Sequence, residues 1–373
     1  MKRHAIHAIT IAALCLGGDG NAADAKRTAP EKTLEAAEEQ RTNAYAAQLE
    51  AWLRRMLVDD YPQRAAKAWQ RDYSSIEAFV KSVEPNRARW RAVIKPPTLT
   101  KTGPLERAPY EPLSDLKAEW WRVPLGGLTA EGIFAAPAEA GARKRAPLVI
   151  VQHGIGSTPE KNFGLMDPGG AYHAYARELL KAGFAVLAPM NLRTVERRNR
   201  IERLCRLADL SLPGIELARM QRLLDEAARE PRVDGERVGM WGLSLGGLAT
   251  MFWTPLEPRI KAAVCSGWFN HRRNKMVIPD PRYSCFLETK EEHAFFTGWL
   301  IEFTDSDVVA LICPRPFQIQ TGKADRIAHW PMVVEEFNAG DYREGYIYTG
   351  DNVSYPKFIT GRGTCVSLKY GIW

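Results

Sequence analysis

The stretch Gly242-Leu-Ser-Leu-Gly-Gly247 follows directly on the apolar run Arg237-Val-Gly-Met-Trp241. An apolar strand that runs into Gly-x-Ser-x-Gly has the spacing of a chain turning sharply into a helix around an exposed serine. Such a turn strains the serine backbone and brings strand and helix close, so small residues are needed on both sides while the hydroxyl is pushed to the top of the sheet. Ser244 is therefore the candidate nucleophile. The same letters also fit a plain Gly/Ser turn, so the reading depends on what surrounds them.

Outward from the serine, strand and helix patterns alternate. Residues 148–151, 184–188, 238–241, 260–264 and 316–320 read as strands, and residues 171–181, 217–228 and 248–253 as helices. Trp120-Trp-Arg-Val-Pro124 and Leu128-Thr-Ala-Glu-Gly-Ile-Phe134 read as paired strands joined through Gly126-Gly127. Continuous apolar strands separated by amphipathic helices imply an α/β protein with a mostly parallel central sheet and helices on both faces. Chemistry in such sheets gathers at the carboxyl ends of the strands.

Two other strand ends bear on Ser244. Val151-Gln-His-Gly-Ile-Gly156 closes an early strand with a His-Gly turn. Its backbone N–H groups, at Gly154 and Ile155, join that of Leu245 as candidate donors to a developing oxyanion. His153 reads as a residue that shapes this turn. Gln320-Thr-Gly-Lys-Ala-Asp325 closes a later strand with Asp325, a carboxylate able to orient a histidine and stabilise its cation. A surface turn is the plainer reading of that aspartate.

The chain has 373 residues, 45% of them hydrophobic, enough to bury one large domain with an N-terminal extension. The net charge of +7 comes from 51 basic and 44 acidic residues spread along the chain, which argues against a dedicated nucleic-acid binder. Lys2-Arg3-His4, the mostly apolar run from Ala5 to Leu16, and Ala23-Asp-Ala25 read as an export signal over residues 1–25. Residues 26–100 are expected to form a helical arm and linker packed on the main body, with apolar residues such as Leu49, Trp52, Leu53 and Met56 at helical spacing. Residues 101–373 are expected to form the catalytic domain. A secreted or periplasmic location follows, with no membrane association after cleavage.

Five cysteines lie beyond residue 25, and an oxidising destination makes Cys265 with Cys285 the favoured disulfide. Burial of all five as small hydrophobes is the alternative. No Cys/His spacing resembles a metal site, and neither metal nor cofactor is expected.

Taken together, these pieces resemble the α/β-hydrolase superfamily, and within it the secreted dienelactone-hydrolase and acetyl-xylan-esterase-like enzymes. The resemblance covers about residues 120–348. It rests on the His-Gly loop followed by Thr158-Pro-Glu160, the Gly-Leu-Ser-Leu-Gly-Gly elbow, Cys265-Ser-Gly-Trp-Phe-Asn270, and the run from Asp307 through Cys313-Pro-Arg-Pro316 to Asp325. It implies an exported serine hydrolase of carboxylic esters, with Ser244 as nucleophile, Asp325 as the acid of a triad, and the loop after Asn270 walling the pocket.

One departure touches the chemistry. The family places its catalytic histidine after the last strand, here Gly345-Tyr-Ile-Tyr-Thr349, yet Asn352 stands at that place and no histidine follows His329. Asparagine has no titratable nitrogen near neutral pH and cannot take the serine proton. The tail over residues 350–373 is broken by glycines where the family has an amphipathic helix, as a change of reading frame would leave it. His329 is the first substitute base to consider, with His271 and His293 behind it. Two expectations follow: an ester hydrolase with impaired activity, or a non-catalytic relative that binds a ligand in the inherited pocket.

The substrate side is thinner. Trp268 and Phe269, with Trp299 and Trp330, suit stacking on a sugar face, and core packing explains such rings as well. The basic clusters at Arg197, Arg198, Arg200, Arg203 and Arg206 and at residues 271–275 read as solvated faces, with attraction of an acidic or uronic substrate as the alternative. A small ester or an acylated saccharide is the expected partner.

Overall fold

A computed structural model describes residues 28–167, 170–339, 345–349 and 365–370, the last two segments by their backbone alone. Asn352, the export signal and most of the tail lie outside the described residues. The chain divides into Met1–Arg55 and Met56–Trp373. In the first unit, Ala29–Arg54 is one helix with no buried residue, opened by a capping box between Thr28 and Glu31.

The second unit is built on a ten-stranded sheet. Its strands are β1 (Glu106–Pro109), β2 (Glu119–Pro124), β3 (Thr129–Ala135), β4 (Ala146–Gln152), β5 (Ala185–Pro189), β6 (Val233–Leu243), β7 (Ile260–Ser266), β8 (Phe317–Gly322), β9 (Gly345–Thr349) and β10 (Cys365–Tyr370). Their order across the sheet is β1-β2-β3-β5-β4-β6-β7-β8-β10-β9. The five central strands, β5 to β8, run parallel, and the flanking strands pair antiparallel.

Alternation along the central strands explains why both faces are covered. Leu148 and Ile150 of β4 and Leu187 of β5 point into one apolar cluster, while Val149, Val151, Val186 and Ala188 point into another. The first cluster is closed by helix Leu212–Ala227 and by Glu84–Ile94, whose Trp90 packs edge-on against Phe252 at 4.9 Å and donates its indole N–H to the Phe252 carbonyl at 3.1 Å. The second is closed by Phe163, Tyr172 and helix Tyr175–Lys181. The C-terminal part of the expected arm, from Met56 to Ile94, thus belongs to the same unit as the sheet.

Three expectations need correction. Helix 171–181 begins only at Tyr175, because His173 and Ala174 take φ values of 48° and 50°. The expected last strand forms as β9, but β10 inserts antiparallel between it and β8. Cys265 and Cys285 are free thiols. Cys265 is wholly enclosed on β7, where burial pushes its thiol up to about 12, and the Cys285 thiol donates to the Met276 carbonyl at 3.6 Å. Both pack as small hydrophobes.

Candidate active site

The loops leaving β4, β6, β7 and β8 emerge at one end of the parallel sheet, and the features found in sequence meet there. Ser244 links β6 to helix Leu245–Trp253 with φ 58° and ψ −117°, a conformation that costs a non-glycine residue about 1–3 kcal/mol. Its N–H donates to the Ser266 carbonyl at 2.8 Å, and its own carbonyl accepts from Leu248 at 2.9 Å. Those two bonds hold the strained residue between strand and helix.

Space dictates the small residues around it. A Cβ at Gly242 would overlap the Gly246 carbonyl, and one at Gly246 would overlap the Gln152 carbonyl at the end of β4. At Gly247 it would stand 2.7 Å from the Ser266 carbonyl. The glycines let the helix press down on β4 and β7, which leaves Ser244 at the rim, half-buried.

The His-Gly turn lies beside the serine, since a Cβ on Gly154 would be 3.2 Å from that of Ser244. Of the three expected donors, the Gly154 N–H is already committed to the Tyr172 hydroxyl at 2.8 Å. The N–H groups of Ile155 and Leu245 have no acceptor among the described residues. His153 is buried, with Nδ1 3.0 Å from the Gly154 carbonyl and Nε2 accepting the Asn191 N–H at 3.2 Å. Its proton therefore sits on Nδ1, and burial holds its pKa below the ordinary histidine value. Both nitrogens are spent on shaping the loop, as the sequence suggested.

Behind the elbow, the Trp241 indole N–H donates to Ser266 Oγ at 2.9 Å, and Ser266 Oγ donates to Gln320 Oε1 at 2.7 Å. This chain ties the ends of β6, β7 and β8 together and fixes the serine relative to the Asp325 loop. In that loop Asp325 Oδ1 accepts the Ile327 N–H at 2.9 Å.

Ser244, Leu245 and Ile155 open into a cavity of about 350 Å³. Trp268 and Phe269 line it, and so do Ile327 and Ala328 of the acid loop. Asp325 and His329 are not among its lining residues. Trp299 is buried in the core and Trp330 is half-buried beside Lys323.

The far wall comes from residues 270–294, which hold the basic cluster 271–275 and His293. Arg272 is fully buried, bidentate to Asp305 at 2.7–3.1 Å, and stacked 4.4 Å over Trp268. Lys275 donates to Ser284 Oγ at 2.7 Å and to the Ile327 carbonyl. His293 bonds through Nδ1 to Asn199 Oδ1 at 3.0 Å, an oxygen that can only accept, so Nε2 carries the lone pair. Burial, then Arg198, pulls its pKa down to about 3. Neutral His293 is thus a hydrogen-bond acceptor on the cavity wall.

In the first basic cluster Arg197, Arg200, Arg203 and Arg206 are exposed and Arg198 is not. Arg198 is buried against Glu216, with contacts of 2.7 and 3.1 Å, and Arg203 and Arg206 both reach Glu292. Among the described residues, no group of His, Cys, Asp and Glu side chains could hold a metal ion, and no helix is long and apolar enough to cross a membrane.

No family model matches the chain. A curated relative, "Putative hydrolase YtaP" of Bacillus subtilis, is 25% identical over 193 residues, which cover 48% of this chain and 61% of that protein. Among solved structures, a "putative acetyl xylan esterase" of Bacteroides fragilis superposes with a TM-score of 0.55 at 18% identity, over 71% of this chain and 73% of that one. A glucuronoyl esterase of Teredinibacter turnerae gives a TM-score of 0.49 at 14% identity, over 72% and 74%. Together with the strand order and the elbow, the first of these structures fixes the fold as that of the α/β hydrolases.

Proposed function

We propose that this chain is an exported serine hydrolase of carboxylic esters, acting on small esters or acylated saccharides. Ser244 is the nucleophile, the N–H groups of Leu245 and Ile155 receive the oxyanion, and Asp325 is the acid whose loop shapes the cavity. The observation that carries this reading is the strained Ser244, held at the mouth of a cavity beside two backbone donors without acceptors. Strain of that kind persists only where the surroundings enforce it, and a merely structural turn at this position would be satisfied by glycine. Each backbone donor contributes about 2.7–4 kcal/mol to such a transition state.

The substrate class follows from the walls. Trp268, Phe269 and Phe286 give an apolar side for a flat ring or an acyl group, and Thr289 and His293 give hydrogen-bonding partners for hydroxyls. The fold likeness to an acetyl xylan esterase points the same way. Hydrolysis of p-nitrophenyl acetate and of acetylated xylo-oligosaccharides, compared between the parent and Ser244→Ala, tests the assignment. Turnover abolished by the substitution supports it; equal turnover in both defeats it.

A second reading, a ligand-binding relative without turnover, draws on two observations: His329 is not among the residues lining the cavity, and Asn352 stands in the sequence where the resemblance expects a histidine. Saturable binding of an acylated saccharide with no hydrolysis would favour it.

A further inference from the structure

Lys275 has no part in the expected triad, yet its placement suits one. It lies on helix Arg272–Val277, is only 5% exposed, and lines the same cavity as Ser244. Among the described residues, no carboxylate lies within ion-pair distance of Nζ. Two oxygens hold it instead, Ser284 Oγ at 2.7 Å and the Ile327 carbonyl. A neutral amine has two N–H bonds and one lone pair, and these two acceptors account for both N–H bonds. An ammonium would carry a third N–H with no acceptor among the described residues.

The acid loop enters the same arrangement. Asp325 Oδ1 fixes the Ile327 N–H, and the carbonyl of that same Ile327 fixes the lysine. We propose that Lys275 is the proton acceptor for Ser244, taking the part for which the resemblance expects a histidine, with Asp325 as a positioning residue for it. The inference rests on Ser244 being the nucleophile.

The charges facing Lys275 come from each element packed on it. Arg272 on its own helix disfavours the ammonium, while Asp325 from the acid loop and Glu291 and Cys285 from the far wall favour it. Burial outweighs all of these and brings the lysine down to about 8, so that about a tenth of it is free amine at pH 7 and half at pH 8. A base in that range is well matched to its task, and serine–lysine pairs are a known variant of the triad's logic.

The proton ledger closes over two half-reactions. As Ser244 Oγ bonds to the acyl carbon, its proton passes to Lys275 Nζ; the ammonium returns it to the leaving alkoxide as the ester C–O bond breaks, giving the alcohol and an acyl-serine. Water then attacks the acyl carbon and gives its proton to the amine. The ammonium reprotonates Ser244 Oγ as the acyl–Oγ bond breaks, releasing the carboxylic acid.

The test is the rate at which a fluorophosphonate phosphonylates Ser244, an Oγ–P bond forming as fluoride leaves, followed from pH 6 to 10 in the parent, Lys275→Arg, Lys275→Ala and His329→Ala, with folding checked by thermal melting. The parent rate should rise with a midpoint near 8. Lys275→Arg keeps donors for Ser284 and Ile327 but stays protonated and cannot accept a proton, so the folded variant should react about 10²–10⁴-fold more slowly. Ethylamine should restore part of the rate to Lys275→Ala, which a structural role would not permit. A parent-like rate and profile in folded Lys275→Arg overturns the proposal, as does loss in His329→Ala with Lys275→Arg unaffected. A folded parent that takes no label at Ser244 overturns the nucleophile reading itself, and a labelled parent with an indifferent Lys275→Arg overturns this inference alone.

Discussion

The hydroxyl of Tyr172 accepts the Gly154 N–H at 2.8 Å, and this bond sets the turn that presents the next N–H, that of Ile155, to the cavity. Tyr172 lies on the opposite sheet face from most of the core and reaches the turn from beneath. Tyr172→Phe leaves a buried N–H without a partner at a cost of about 1–3 kcal/mol. Thermal melting should show that loss, and ester turnover should fall by less than the ~10²–10³-fold expected for removing an oxyanion donor outright. Unchanged stability and turnover would show that the turn holds its shape without the tyrosine.

Gly246→Ala drives a methyl group into the Gln152 carbonyl. Overpacking of this kind costs about 1–3 kcal/mol or more, and here it lifts the helix that carries Leu245 away from β4. A folded variant should be less stable by chemical denaturation and lose most of its activity. A variant with parent-like values would mean that the elbow is looser than its spacing requires.

Arg272 and Asp305 form a buried pair beneath the cavity wall, at 1% and 0% side-chain exposure. Asp305→Asn strands the guanidinium, and breaking such a pair by removing one partner costs about 3–5 kcal/mol. The same variant loosens Trp268, over which Arg272 stacks, so KM should rise along with the loss of stability. A drop in urea midpoint with KM unchanged would separate the pair from the substrate wall.

Glu336 gives a pH signature. Burial first, then Asp305, raises its carboxyl from the ordinary 4.5 to about 7, while Oε1 accepts from the Ser306 N–H and hydroxyl. A folded pKa above the unfolded one gives stability that is full below about 4.5 and is lost as pH rises through 7. Glu336→Gln should therefore match the parent near pH 5 and exceed it above pH 8, by about 3 kcal/mol at most. Parallel melting profiles from pH 5 to 9 would contradict this.

The strands were legible because short, nearly continuous apolar runs such as Leu148–Val151 and Ile260–Val264, set between helical stretches, read as strands buried on both faces. The elbow was legible because its glycines answer a steric demand within six residues. What escaped the sequence depends on partners far along the chain. Arg198 looks like one of a solvated cluster until Glu216 is seen to bury it, and Cys265 and Cys285 look pairable until each is found packed separately. Lys275 reads in sequence as the end of a solvated basic cluster; its character comes from burial, Arg272, Ser284 and a carbonyl 52 residues away. The start of helix Tyr175–Lys181 was misplaced because nothing in Tyr172-His-Ala174 announces two positive φ values.

The central claim is that the hydroxyl at position 244 is an activated nucleophile. Peptide mapping by mass spectrometry after treatment with a fluorophosphonate tests it most directly. The account predicts one adduct, on the peptide containing Ser244, that vanishes in a folded Ser244→Ala variant; an unmodified parent, or an adduct that survives the substitution, would contradict it.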